Sequence, residues 1–378
     1  MKAVAVACDM VTPYGWGIDS CWKGLMSGMT AIRPIDRFST LNLQTQNAAT
    51  VPGLKARINK SLIIQMLIPL FANIAPKIPD DSFVILATTT GEIEILQRHI
   101  LSGKTETKKS LPGNLLNKVI SLAGTCGKGM VVSAACASSS AAVSKAASMI
   151  RNRDLDCVLV VACDCVSEFV TAGFSSLMAL DRDKAKPFDK NRHGLSLGEA
   201  AGYMLLMSEA RAAKEKRPVI GEIAGWGLTN DANHITGPSQ DGSGLSKAIS
   251  NALHSAGVSE IEIGSISAHG TGTVYNDSME MAAIKKVFGN RPVPVYSVKG
   301  GTGHTMGAAG LLEIIISFRA LDSKIVPPTV NLRDIDIVAE GWVSSDSQSF
   351  ERHVTLSTNS GFGGVNSALV LKKAEKIL

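Results

Sequence analysis

The sequence predicts an α/β fold, and three observations carry that expectation. Short, almost unbroken apolar runs at Phe83–Ala87, 157–162 and 202–207 are bounded by polar or small residues, the pattern of central strands buried on both faces. Between them, stretches rich in Ala, Ser, Lys and Leu at Ser138–Arg151 and 244–256 read as helices, giving a β/α alternation. Composition agrees: of 378 residues 35 are Gly, and 45% are hydrophobic but only 5% aromatic. That balance suits tight turns around a large buried core and excludes a disordered or fibrous chain.

Taken from the N-terminus, the opening MKAVAVACDMVTPYG reads as a first strand and turn. Its apolar run is broken by Asp9 too early for a secretory signal, so a cytoplasmic location is expected. The apolar stretch 62–75 contains Gln65 and Pro69 and is too short to cross a bilayer; it reads as a buried or amphipathic helix, and no membrane span is expected. The net charge of +5 is spread along the chain, with only short mixed runs at 104–109 and 184–190. Nucleic acid is therefore not indicated, whereas an acidic protein partner could be steered by such a surface.

Seven cysteines at irregular spacing do not form a secreted disulfide framework. Cys163 and Cys165, a lone C-x-C without a second pair, read as small core residues after a strand, and no metal site is expected. The polar stretch 209–218, ended by Pro218, is the natural seam between an N-terminal half (1–217) and a C-terminal half (218–378). Each half contains a strand, a polar turn and a helix with a packed, small-residue start, at 129–143 and at 293–312. The pattern fits an internal duplication without requiring one.

Four turns carry the chemistry. Cys136 follows an apolar strand at the head of a helix built of Ala and Ser; there the helix dipole and free N–H groups favour a thiolate, although a small core residue is the competing reading. His269 opens the loop HGTGT at the end of the run 263–268, where two Gly and two Thr allow a ligand to approach closely. A phosphate cradle is disfavoured because no Lys-Ser/Thr pair follows. Lys299-Gly-Gly-Thr-Gly-His304 brings a cation and a second histidine into another Gly-rich turn after a strand. Ser360-Gly-Phe-Gly-Gly places Phe362 among glycines, either as a core Phe in a simple turn or as a hinged aromatic beside a pocket. A cysteine at a helix head with two histidines at strand ends is the equipment for covalent acyl transfer and stabilisation of a developing oxyanion.

In combination and order, these motifs resemble the elongating β-ketoacyl-(acyl carrier protein) synthases of fatty acid and polyketide synthesis. The likeness runs from Val11-Thr-Pro-Tyr-Gly through Lys186-Pro-Phe-Asp-Lys-Asn-Arg to Gly361-Phe-Gly-Gly. The resemblance implies a thiolase fold, two βαβαβαββ halves stacked as five αβαβα layers, and a homodimer or a heterodimer with a related chain-length subunit. It implies that Cys136 is the acylated nucleophile, that His269 and His304 bind the malonyl thioester carbonyl, and that Lys299 pairs with Glu280 to order the site. It further implies an oxyanion hole from the Cys136 and Phe362 N–H groups, pantetheine contacts from Thr271 and Thr273, and a gate at Phe362 between Gly361 and Gly363. The partner would be an acyl carrier protein, with Arg57 and Lys60, or Lys190 and Arg192, as candidate contacts. The reaction, decarboxylative Claisen condensation, would need no cofactor beyond the carrier's phosphopantetheine.

Two rivals share that fold: a catalytically silent chain-length partner, and a thiolase or initiating synthase acting on coenzyme A thioesters. Retention of Cys136, His269 and His304 argues against the first; the lack of any cysteine after Cys165, and His304 where an initiating enzyme has Asn, argue against the second. The chain departs from the family in a short segment between Thr50 and Gly129, in His193 where Asp is usual, and in Ala200 in place of a Gly.

Overall fold

The apolar runs become the strands of one extended sheet in a computed structural model, which describes residues 1–57, 60–72, 74–103 and 110–374. The N-terminal half contributes β1 (Ala3–Thr12), helix α1 (Leu62–Ala72), β2 (Phe83–Ala87), α2 (Ile93–Leu101), α3 (Pro112–Ala123), β3 (Gly129–Val132), α4 (Ser138–Arg151), β4 (Cys157–Asp164), α5 (Glu168–Ser176) and β5 (Ala200–Ser208). The C-terminal half contributes β6 (Gly221–Asn230), α6 (Ser243–Ala256), β7 (Ile263–Ser267), α7 (Val274–Phe288), β8 (Val295–Tyr296), α8 (Ala309–Ser323), β9 (Val354–Gly361) and β10 (Val365–Lys373). The basic run 104–109 lies outside the described residues.

Strand order is β8-β7-β9-β10-β6-β1-β5-β4-β2-β3, and it mirrors about its centre. β1 and β6 meet there through only two residue pairs, Val4 with Glu222 and Ala5 with Gly221. Outward on each side come an antiparallel neighbour (β5, β10), another antiparallel strand (β4, β9) and two parallel strands (β2 and β3; β7 and β8). β4 and β5 are buried along their whole length, as continuous apolar runs require.

Three apolar clusters define the layers. Leu62, Ile63, Met66 and Leu67 of α1 and Leu115 and Val119 of α3 cover one outer face, against Val84, Leu159 and Leu205. Leu245 and Ile249 of α6 and Met281 and Ile284 of α7 cover the other, against Ile266, Leu356 and Val370. The central cluster joins Val143, Ala146 and Ile150 of α4 to Leu311, Ile314 and Ile315 of α8 between the two half-sheets. This is the five-layer αβαβα arrangement of the thiolase fold, and each fully buried Leu or Ile contributes about 1.5–3 kcal/mol to it.

Small residues let the two central helices meet at their heads. A Cβ on Gly310 would lie 2.8 Å from the Ser140 nitrogen, and the Leu311 N–H donates to Ser139 Oγ at 2.9 Å. The Ala/Ser composition of α4 is thus a packing device that brings the starts of α4 and α8 together. Cys163 and Cys165 are buried on the outer side of the N-terminal half-sheet; Cys163 lies within β4, not after it.

Candidate active site

The four turns singled out in the sequence converge. Cys136 sits between β3 and α4, 6% exposed, after Ala135, whose φ of 48° bends the chain sharply. Ser138 Oγ braces that bend, accepting from the Ala134 N–H at 2.9 Å and donating to Ala135 O at 2.6 Å. Phe362 stands beside Cys136 in the wall of the same cavity, where its N–H favours the thiolate. Burial nevertheless pushes the thiol up to about 11, opposed by the nearby Lys299 ammonium and the Phe362 N–H. At this helix head desolvation therefore outweighs the Lys299 charge and the Phe362 N–H, and the thiol is pushed up, not down.

The HGTGT loop leaves β7 and is held by two carboxylates of α7. Glu280 accepts the His269 and Gly270 N–H groups at 2.7 and 2.8 Å, and Asp277 accepts those of Thr271 and Gly272 at 3.0 and 3.2 Å. Glu280 also accepts the Thr358 hydroxyl at 2.7 Å. Burial raises Glu280 to about 7, against these three donors. Asp277 was not singled out in the sequence, although its place three residues before Glu280 puts both acids on one helix face.

Lys299 corrects an expectation. Its ammonium does not pair with Glu280 but with Glu313 of α8, and it donates as well to the His269 carbonyl. Both members of the pair are buried, Lys299 at 1% exposure and Glu313 at 0%. Glu280 is occupied by backbone donors, which leaves Glu313 as the carboxylate facing the ammonium. Nor is 299–304 simply a turn: Lys299–Thr302 forms one helical turn, and a Cβ on Gly300 would fall 1.9 Å from Val330 O, so only glycine allows that approach.

The two imidazoles meet edge to face, 5.2 Å between centroids at 85°. Burial pushes both well below the ordinary histidine value, helped by Lys299, so both are neutral near pH 7. The Met306 N–H points at His304 Nδ1 at 3.3 Å, so that nitrogen accepts and Nε2 carries the proton. His304 Nε2 is buried without a partner among the described residues, a donor left free for a substrate.

Cys136, His269 and His304 each place a ligating atom within 4.8 Å of one another, a set that could in principle hold a soft cation. The group behind His304 opposes that use: metal on Nε2 would move the proton to Nδ1, against the Met306 N–H. His304 instead presents its Nε2–H beside the thiol.

A cavity of about 410 Å³ opens onto this trio. Thr271 and Thr273, whose hydroxyls are 2.9 Å apart, line it together with Gly361 and Phe362. Phe174, Leu177, Met178, Leu195 and Tyr275 form an apolar wall, and Phe174 stacks on Phe362 at 5.7 Å. His193 lines the cavity too. Lys299, Glu280 and Gly363 do not; the first two hold the His269 backbone from behind, and the Gly363 N–H donates to Ile235 O at 2.6 Å. Arg192 is not a surface contact: it is 3% exposed and bound to Asp336, Ser278 and the Asp189 carbonyl.

Among the described residues no helix is long and apolar enough to cross a membrane. Residues 97–212 match the family model "beta-ketoacyl synthase, N-terminal domain", and residues 220–333 match "beta-ketoacyl synthase, C-terminal domain". The chain is 30% identical to the 3-oxoacyl-(acyl-carrier-protein) synthase 2 of Vibrio cholerae, over 98% of this chain and 99% of that one. Among solved structures it is similar to the ishigamide ketosynthase/chain length factor, with a TM-score of 0.88 at 29% identity over 99% of both chains. It is also similar to a ketosynthase in complex with its chain length factor from Xenorhabdus doucetiae, with a TM-score of 0.80 at 26% identity over 99% and 98% of the chains.

Proposed function

The chain belongs to the β-ketoacyl synthase family, and we propose that it joins an acyl group carried on Cys136 to a malonyl thioester by decarboxylative condensation. The observation that carries this reading is the convergence of Cys136, His269 and His304 within 4.8 Å at the end of one cavity.

In the first half-reaction the Cys136 sulfur attacks the carbonyl of an acyl thioester. The Cys136 and Phe362 N–H groups stabilise the oxyanion, and the departing pantetheine thiolate takes up the proton that the thiol gives up. In the second, a malonyl thioester enters with its carbonyl oxygen toward the His304 Nε2–H and the His269 ring. Its C–C bond to the carboxylate breaks, carbon dioxide leaves, and the electron pair becomes an enolate held by those donors. The enolate carbon attacks the acyl-cysteine, the β-ketoacyl thioester forms, and Cys136 departs as a thiolate that is reprotonated from solvent. Neutral histidines suit this work, since their task is to donate hydrogen bonds and not to take a proton.

Thr271 and Thr273 offer hydroxyls along the cavity for the amides of a phosphopantetheine arm. The carrier of that arm is an acyl carrier protein, and no metal or redox cofactor enters the scheme. β3, with a neighbour on only one side among the described residues and half-buried residues throughout, is the edge across which a second copy or a chain-length subunit pairs. The halves divide at 217/218, and the reaction is placed in the cytoplasm, in keeping with free cysteines throughout.

Intact-mass spectrometry of the protein and of Cys136→Ala, mixed with acyl- and malonyl-carrier proteins, tests the reading. The wild type should gain the acyl mass and release β-ketoacyl product, and the variant should do neither. Absence of an adduct with every carrier substrate would overturn it; size-exclusion chromatography with a chain-length subunit then tests the partner role.

A further inference from the structure

Asn359 lies on β9, fully buried, between Glu313 and His269. Its Nδ2 is 2.5 Å from Glu313 Oε2 and 3.4 Å from His269 Nδ1. An amide can be placed either way round, but here the choice is forced: a carboxylate facing Oδ1 would set two acceptors against each other, so Nδ2 must face Glu313. The NH2 group has two hydrogens, and the second is left for His269 Nδ1. That nitrogen then accepts, and the ring proton is on Nε2. Asn359 Oδ1, by contrast, is buried with no partner among the described residues, so the side chain is not held there for its oxygen.

We propose that Asn359 is a positioning residue that sets the tautomer of His269, so that His269, like His304, presents Nε2–H to the substrate oxygen. The order of command is Lys299 to Glu313 to Asn359 to His269: the ammonium holds the carboxylate, the carboxylate orients the amide, and the amide selects the ring nitrogen. His304 receives the same instruction from the Met306 N–H, so the two donors are specified by different elements. This inference rests on the condensing role proposed above.

Asn359→Asp is the near-isosteric test. Whether the new carboxyl ionises or shares a proton with Glu313, the oxygen facing His269 accepts, so the ring proton should move to Nδ1 and Nε2 should lose its donor. Nitrogen-15 NMR of histidine-labelled protein should show His269 protonated at Nε2 in the wild type and at Nδ1 in the variant. Malonyl-carrier decarboxylation should fall about 100-fold, as when one oxyanion donor is removed, while acylation of Cys136 persists. A wild type protonated at Nδ1, an unchanged tautomer in the variant, or an equal fall in both half-reactions would overturn the assignment. Should the variant not fold, the wild-type spectrum still decides. If the wild type forms no acyl-enzyme, the proposed reaction fails, while the NMR result still rules on Asn359.

Discussion

Lys299 and Glu313 form an ion pair buried between the two half-sheets, directly behind the His269 backbone. A buried pair is costly to break from one side, since the remaining charge is stranded. Lys299→Met alone should destabilise the protein by about 3–5 kcal/mol, and the double variant Lys299→Met/Glu313→Gln should recover more than half of that. Urea unfolding of both proteins checks this; equal losses would mean that the pair is not coupled.

The Cys136 thiol, raised to about 11 by burial, should be slow to alkylate at neutral pH. Its reaction with iodoacetamide, read on the peptide that contains it, should rise about tenfold per pH unit between 7 and 10. Lys299→Met should slow it further, because that ammonium favours the thiolate. A rate that is flat across the range would count against a neutral resting thiol.

Both histidines are held neutral well below their usual range. Malonyl decarboxylation should therefore show no break near pH 6.5, where an exposed histidine titrates. The stability consequence has a definite sign: the unfolded chain binds protons at these sites before the folded one does. Their contribution is complete above about pH 6.5 and is lost as pH falls below it, by at most about 1.4 kcal/mol per pH unit for each histidine. Because Glu280, raised to about 7, contributes with the opposite sign over the same range, the histidine share is read as the difference in slope between the wild type and His304→Gln, from urea midpoints across pH 5 to 8.

Phe362 stacks on Phe174 at the cavity wall. A double-mutant cycle with Phe362→Ala and Phe174→Ala should give a coupling of about 0.5–1.5 kcal/mol in stability. Phe362→Ala keeps its N–H, so the acyl-enzyme should still form. Zero coupling would mean the rings are not packed in solution.

Much of the fold was legible. Phe83–Ala87 and Ser138–Arg151 appear with the bounds that their patterns gave, because continuous burial and a run of helix-compatible small residues are local properties. Cys136 at a helix head and His269 and His304 at strand ends, which the structure brings together, were likewise visible as candidates. Less legible were Glu313, within an apolar helix, and Asn359, one polar residue among several in a buried strand of Ser and Thr; nothing local marks a buried polar residue as a partner until its neighbours across the core are known. Expecting Glu280 beside Lys299 failed for the same reason, since backbone N–H groups had already claimed that carboxylate.

The sequence by itself determined the class of fold, the reactive set and the glycines that let the chain turn around it, since these follow from periodicity and residue chemistry within short windows. Only the tertiary structure decided which carboxylate holds Lys299, which groups face the ring nitrogens of the two histidines, and that burial pushes the Cys136 thiol up. Those are properties of charges and donors brought together from distant parts of the chain, where burial sets the balance that no local pattern records.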